Sequence, residues 1–174
     1  MLLTRLAFHI YGKSVYKAFA DCLPLNGNEK VLDFGCGIGS VAYYTAQRLT
    51  DGHLVCVDIS EQCIENCRKT LRNFENITFL HAQSLFLPES GFDVIYCHFV
   101  LHDISETDLE KVIPELAKAL KSEGYLVFRE PLNQIKKLGL IKQLITDNNL
   151  SHKESRIIDI PSMGSTLESI YIKL

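Results

Sequence analysis

The spacing of apolar residues alternates between two patterns along most of this chain. Short runs rich in β-branched and aliphatic residues, such as Lys30–Phe34 and His53–Ile59, are followed by longer stretches whose apolar residues recur every three or four positions. The short runs predict strands and the longer stretches predict helices. A regular strand–helix alternation is typical of a mostly parallel sheet covered by helices, so the pattern limits the chain to an α/β architecture.

The pattern predicts five strand–helix steps followed by a hairpin. Strands are predicted at Lys30–Phe34, His53–Ile59, Ile77–Ala82, Phe92–Cys97 and Tyr125–Arg129, and a final pair at Arg156–Ile160 and Leu167–Leu174. The final pair flanks a short PSMGST connection, as antiparallel hairpin strands do. We therefore expect one seven-stranded Rossmann-like sheet, mostly parallel, with a C-terminal antiparallel hairpin and helices on both faces.

Length and charge narrow the classes of protein further. At about 150 residues per domain, the 174 residues predict a single domain over 1–174. The 18 Lys and Arg residues against 21 Asp and Glu give a net charge of −3 without any basic block, so nucleic acid is not a favoured partner. No apolar run reaches the roughly 18 to 20 residues that span a bilayer, and the N-terminal stretch does not continue as an export signal. We expect a cytoplasmic protein without membrane contact.

The six cysteines do not form a recognisable framework. Cys63 and Cys67 are the only close pair, and their spacing places them on one face of a predicted helix. No Cys-x-x-Cys motif and no suitably spaced histidine completes a set of ligands. We therefore predict small buried side chains and no metal site.

A glycine-rich turn follows the first predicted strand. The segment VLDFGCGIGS carries Gly35, Gly37 and Gly39, with the carboxylate of Asp33 two residues before the first glycine. Glycine suits positions where the backbone takes positive φ or approaches a ligand closely. A carboxylate there repels a pyrophosphate and attracts an ammonium or sulfonium, so the turn favours a ligand with positive charge at this end.

A second acid ends the next predicted strand. Asp58, in VCVDIS, lies about 20 residues beyond the glycine turn. This spacing suits an acid that accepts hydrogen bonds from the hydroxyls of a ribose. Ligands of open α/β sheets bind beyond the carboxyl ends of the strands, so we expect the chemistry after strands one, two and four.

Four segments together resemble a known family. VLDFGCGIG, VCVDIS, FDVIYCHFVLHDI and LAKALKSEGYLVFRE are similar to the successive motifs of the class I S-adenosylmethionine-dependent methyltransferases, over about residues 30–131. The resemblance implies S-adenosylmethionine as cofactor. It implies that Asp33 lies near the methionine amino group and that the methionine part is surrounded by Gly35, Cys36, Gly37 and Gly39. Asp58 would bind the ribose and Ile59 would contact the adenine. The methionine end would lie near Cys97 and His98.

The resemblance has two further consequences for site residues. Where the family commonly has an acid followed by a small residue after strand three, this chain has Gln83 and Ser84, and the Gln carbonyl can still accept a hydrogen bond from the adenine amino group. In these enzymes the N-terminal segment often folds over the cofactor. We therefore expect residues 1–25 to form a helical lid, with Tyr11 as a contact.

The sequence does not identify a catalytic residue. Methyl transfer from a sulfonium is an in-line displacement, which needs alignment more than a strong acid. A base is required only when the acceptor must lose a proton, and His98 and His102 are then the candidates. The alternative for both is structural: His98 packs beside the cofactor and His102 bonds to backbone at the entry of a helix.

Three functions are compatible with these residues. The first is methyl transfer to a small-molecule acceptor by a monomer or homodimer. The second is a nicotinamide-dependent oxidoreductase, because the fold and the acid after strand two would also serve that cofactor. The third is a non-catalytic methyltransferase-like binding subunit, because no large inserted lid is evident and the C-terminal half is short.

Overall fold

Strands and helices alternate through residues 13–81, 87–161 and 163–174, which the computed structural model describes. The strands are β1 (Lys30–Phe34), β2 (His53–Asp58), β3 (Ile77–His81), β4 (Phe92–His98), β5 (Leu120–Pro131), β6 (Leu150–Ile160) and β7 (Gly164–Lys173). The helices are α1 (Lys13–Cys22), α2 (Ser40–Arg48), α3 (Glu61–Thr70), α4 (Glu106–Ala119) and α5 (Ile135–Asp147), with a 3₁₀ turn at Leu101–Asp103.

The seven strands form one sheet in the order β3-β2-β1-β4-β5-β7-β6. Strands β3, β2, β1, β4 and β5 are parallel, whereas β7 runs antiparallel to both β5 and β6. The predicted fold class and the terminal hairpin are therefore confirmed. The chain order reverses at β1, which has β2 on one side and β4 on the other, and a ligand crevice is expected at such a point.

Each face of the sheet buries a separate core, because successive strand residues point to opposite faces. On one face Val31, Leu54 and Tyr96 pack beneath helices α1, α2 and α3. On the other, Leu32 and Val55 belong to the core built with α4 and α5. Among the described residues, no helix is both long and apolar enough to cross a membrane.

The sequence predicts an N-cap at Ser60 and a capping box at Ser105 with Asp108, and both serines cap a helix. Ser60 Oγ accepts a hydrogen bond from the backbone N–H of Cys63 at the start of α3, and Ser105 Oγ accepts one from Asp108 N–H at the start of α4. Such N-caps satisfy backbone donors that the first turn leaves unpaired. The sequence predicts that Pro114 either kinks this helix or marks a late start. Helix α4 begins at Glu106 and continues past Pro114, so the late start is wrong.

The boundary between α4 and β5 differs from the prediction. The sequence predicts a helix to Lys121 that Gly124 terminates, but α4 ends at Ala119 and β5 begins at Leu120, which pairs with Phe92. Gly124 lies within β5, where a Cβ atom would lie 3.0 Å from the carbonyl oxygen of Asp93. The pairing of β4 with β5 shifts register here, so the glycine permits a close approach of two strands rather than ending a helix.

A buried ion pair attaches α1 to the sheet. Glu168 of β7 accepts hydrogen bonds from Arg129 Nε at 3.0 Å and Nη2 at 2.5 Å, and both side chains are almost completely buried. Arg129 Nη1 also donates to the carbonyl oxygen of Val15 in α1, and its guanidinium lies over the ring of Phe19. One arginine thus joins two strands and the helix that covers them.

We expect Glu168→Gln to lower the free energy of unfolding by about 3 to 5 kcal/mol, because it leaves a buried guanidinium without its counter-charge. Asp21→Asn is the matched control, since its ion pair with Lys17 is exposed and should contribute below about 0.5 kcal/mol. Urea unfolding of both variants measures the difference. Equal losses in the two variants would contradict the assigned role of Arg129.

Candidate functional site

The ends of β1 and β2 are joined by backbone hydrogen bonds. The N–H groups of Gly35 and Cys36 both donate to the carbonyl oxygen of Val57, at 2.8 and 3.0 Å. The N–H of Gly37 donates to Asp58 Oδ2 at 2.8 Å. The glycine turn is therefore fixed against the carboxyl end of the neighbouring strand.

Two of the turn glycines are required by their surroundings. Gly35 has φ +76°, and a Cβ atom there would lie 2.4 Å from Val100 Cγ2, just beyond β4. Gly39 has φ +83°, and a Cβ atom there would lie 2.8 Å from Cys67 Sγ. By contrast, no atom lies within 4 Å of the corresponding position at Gly37, so this part of the turn is open. The turn after β1 therefore contacts both the end of β2 and the segment after β4.

Asp58 holds two backbone groups at the same crevice. Its Oδ2 accepts from Gly37 N–H, and its Oδ1 accepts from Ser60 N–H at 2.8 Å. Each carboxylate oxygen has a second lone pair, so Asp58 can still accept hydrogen bonds from a ligand. Ile59, the next residue, is 75% exposed. An exposed isoleucine beside a half-buried acid offers an apolar surface for a flat ring next to an acceptor for hydroxyls.

Asp33 is buried within the sheet between Cys56 of β2 and Tyr96 of β4. Its Oδ2, the Tyr96 hydroxyl and the Thr45 hydroxyl are all buried without a formed hydrogen bond. Burial raises the pKa of the Asp33 carboxyl well above its usual range. Burial therefore disfavours the charge expected at this position, and a cation beside the carboxyl would favour it.

These features fit the cofactor that the sequence resemblance implies. A buried carboxylate oxygen without a partner is costly, and an ammonium group would satisfy it. The open backbone at Gly37, the free lone pairs of Asp58 and the exposed Ile59 would then serve the remainder of the molecule. Asp33, Gly37, Asp58 and Ile59 would hold S-adenosylmethionine, which supplies an activated methyl group when bound.

The two predicted residues at the end of β4 differ in accessibility. Cys97 is fully buried in the core on the α4 and α5 face, so its side chain is part of the packing. His98 is surrounded by rings, with centroids 4.7 Å from Phe19, 5.5 Å from Tyr16 and 4.5 Å from Phe99. Its Nε2 is buried without a partner, and burial lowers the pKa of its imidazole to about 3. His98 is neutral and is a poor proton acceptor.

His102 has a different environment, which depends on a residue that the sequence did not single out. Its Nδ1 lies 2.5 Å from Oε2 of Glu130, a completely buried carboxylate at the end of β5. Glu130 Oε1 also accepts the N–H groups of Val100 and Leu101, so the carboxylate is fixed in place. Its hydrogen bond to His102 raises the pKa of that imidazole. The sequence does carry a signal for this role: Glu130, in the segment FREP, directly follows the predicted strand Tyr125–Arg129.

Three of the predicted contacts cannot be placed. Tyr11, Gln83 and Ser84 lie outside the described residues, as do residues 1–12 of the predicted lid 1–25. The remaining predicted residues, Asp33, Gly35, Cys36, Gly37, Gly39, Asp58, Ile59, Cys97 and His98, all lie within or beside the ends of β1, β2 and β4. All nine therefore lie at the carboxyl end of the parallel strands, with the side chain of Cys97 in the core.

Solved structures share this fold. An S-adenosylmethionine-dependent methyltransferase from Mesorhizobium loti is 17% identical and has a TM-score of 0.73, with 90% of this chain and 96% of that chain covered. A methyltransferase from Pyrococcus furiosus is 19% identical with a TM-score of 0.76, covering 97% and 93%. The fold is that of the class I methyltransferases.

The sequence matches the family described as a methyltransferase domain over residues 31–124. The chain belongs to this family, whose methyl donor is S-adenosylmethionine. Similar curated proteins include a phosphoethanolamine N-methyltransferase of Triticum aestivum, 29% identical over 112 residues, and a demethylmenaquinone methyltransferase of Clavibacter sepedonicus, 31% identical over 109 residues. The matches cover 62% of this chain but only 22% and 42% of those proteins.

The neutral state of His98 predicts a loss of stability in acid. Its folded-state pKa lies below the unfolded value of about 6.5, so unfolded chains bind an extra proton as the pH falls through that range. Between pH 7 and pH 5 this contributes a loss of about 2 kcal/mol in the free energy of unfolding. Urea unfolding should show a smaller loss over this range in His98→Gln. An unchanged pH dependence in the variant would contradict the assignment.

Proposed function

We propose that this protein binds S-adenosylmethionine in the crevice beyond β1, β2 and β4 and transfers its methyl group to a small-molecule acceptor. The observation that carries the proposal is the junction of the glycine turn with Asp58. The N–H of Gly37 donates to the Asp58 carboxylate, and the exposed Ile59 is the next residue along the chain. A hydroxyl-bearing sugar joined to a flat base matches that arrangement.

The chain would act mainly by orientation. Fixed backbone in the turn and a fixed carboxylate at Asp58 align the donor before reaction, and orientation can supply roughly 7 to 11 kcal/mol of a barrier. Asp33 supplies a buried oxygen for a cationic group. Positive charge disappears during transfer from a sulfonium, so no strong acid is needed beside the donor.

The names of relatives support a small acceptor. Phosphoethanolamine and demethylmenaquinone stand in the names of two similar proteins, and both are small molecules. They differ in size and in the atom methylated, so we propose only the class. We also propose that residues 1–25 cover the crevice, because α1 already packs Phe19 against His98 beyond β4.

We propose His102 as the proton acceptor for an acceptor that must lose a proton. His102 is partly exposed, and the Glu130 carboxylate fixes its Nδ1. Its Nε2, which lies 3.3 Å from the exposed carboxylate of Asp103, is then the atom that accepts the proton. His98 lacks this role because its Nε2 is buried and its pKa is depressed to about 3. Glu130 is a positioning residue for His102.

Asp58→Ala should weaken S-adenosylmethionine binding by roughly 10-fold to 100-fold, because the variant loses one or two charge-assisted hydrogen bonds to the ribose. Isothermal titration calorimetry measures the affinity. Asp51→Asn is the control, since Asp51 is an exposed acid just before β2, at the opposite end of this strand from Asp58. The control should bind as the wild type does.

Wild-type protein that binds no S-adenosylmethionine or S-adenosylhomocysteine at millimolar concentration would contradict the proposal. Saturable binding of NADH in the same assay would instead favour a nicotinamide-dependent oxidoreductase. If Asp58→Ala bound the donor as tightly as the wild type does, the donor site would have to lie elsewhere on the chain. Each of these outcomes rejects the site described here.

His102→Gln should lower kcat by about 10²-fold or more and leave the affinity for the donor unchanged. The base works in its neutral form, so wild-type activity should rise with pH through the raised pKa of His102, and the variant should lose this rise. Transfer of a labelled methyl group to phosphoethanolamine or to a demethylated quinol measures kcat and its dependence on pH. A variant with wild-type kcat and the same pH profile would exclude His102.

A further inference from the structure

Three cysteines from separate segments meet beneath the glycine turn. Cys36 belongs to the turn, Cys56 to β2 and Cys67 to α3. Their Sγ atoms all lie within 4.8 Å of one another, and all three residues are buried. We call this group the three-thiol cluster. Cys63, which the sequence pairs with Cys67, is not part of it.

The fold determines the cluster closely. Cys56 lies opposite Asp33 in the β1–β2 pairing and belongs to the core covered by α1, α2 and α3. Cys67 packs directly against the turn, since a Cβ atom at Gly39 would lie 2.8 Å from its Sγ. Cys36 N–H is held on the carbonyl oxygen of Val57 at the end of β2. Each thiol is therefore presented by a backbone segment that is itself fixed.

The separation of the sulfurs suits a shared metal ion better than a disulfide. Three sulfurs around a metal with bonds of about 2.3 Å lie about 4 Å apart, within 1 Å of the limit observed here. A disulfide would need two of them to approach to about 2.05 Å. A shared metal ion therefore asks for a smaller shift of the sulfur atoms than a disulfide does.

The donor set selects the kind of ion. All three donors are sulfur, which favours soft ions such as Cu(I) or Zn(II) over hard, oxygen-seeking cations. Structural Zn(II) is almost always four-coordinate, but among the described residues no fourth cysteine, histidine or carboxylate joins the group. A closed site with three sulfur donors therefore suits Cu(I) better.

We propose that Cys36, Cys56 and Cys67 form a binding site for one soft monovalent metal ion of the Cu(I) class. The ion replaces thiol protons, which pass to solvent, and no electron is transferred. Bound metal would connect the glycine turn, β2 and α3. The proposal does not rest on the proposed function, because metal binding is measured without the methyl donor.

The experiment titrates the reduced full-length chain with Cu(I) under anaerobic conditions, against a chromophoric Cu(I) chelator. We expect one Cu(I) per chain to be withdrawn from the chelator. The double variant Cys56→Ser/Cys67→Ser should bind Cu(I) at least about 100-fold more weakly, because two of three ligands are gone. Cys63→Ser is the matched control, because Cys63 lies one turn before Cys67 in α3, and it should bind as the wild type does.

A second measurement uses only the wild-type chain, so it does not depend on the folding of a variant. X-ray absorption at the copper edge should show three sulfur neighbours in the one-to-one complex. Two sulfurs, or nitrogen or oxygen neighbours, would overturn the proposal. Failure to withdraw Cu(I) from the chelator, or an equal loss of binding in Cys63→Ser, would also overturn it.

Discussion

The site depends on the attachment of the β1 turn to the end of β2. Two turn N–H groups share the carbonyl oxygen of Val57, and a third uses the Asp58 carboxylate. These bonds satisfy donors that a tight turn would otherwise leave exposed or buried without partners. They also set where the open backbone at Gly37 lies relative to the acid. One set of hydrogen bonds therefore establishes both the fold of the turn and the geometry of the crevice.

The site beneath the turn is not simply a negatively charged surface, because its polar groups are buried. Asp33 Oδ2 is buried, as are the hydroxyls of Tyr96 and Thr45, and none of these three oxygen atoms has a formed hydrogen bond. The protein thus keeps polar groups in its interior at a cost in stability, which proteins usually retain for a functional reason. The parallel sheet is what makes this possible, since β2 and β4 enclose Asp33 from both sides.

Local patterns predict most of the sheet, because strand period, glycine position and N-cap serines are all short-range signals. β1 is predicted residue for residue as Lys30–Phe34, and the hairpin is confirmed. The start of β5 is missed, because its pairing with Phe92 is a long-range contact that residues 120–124 do not reveal. Glu130 and the three-thiol cluster are missed for the same reason: Cys36, Cys56 and Cys67 are distant in sequence and meet only after the turn folds onto α3.

The most direct test is a crystal structure of the protein with S-adenosylhomocysteine. The account predicts the ribose hydroxyls within hydrogen-bond distance of Asp58, the adenine on Ile59 and the amino acid end at the glycine turn. An empty crevice at saturating ligand, or a ligand bound in the reverse direction with its ribose away from Asp58, would contradict it.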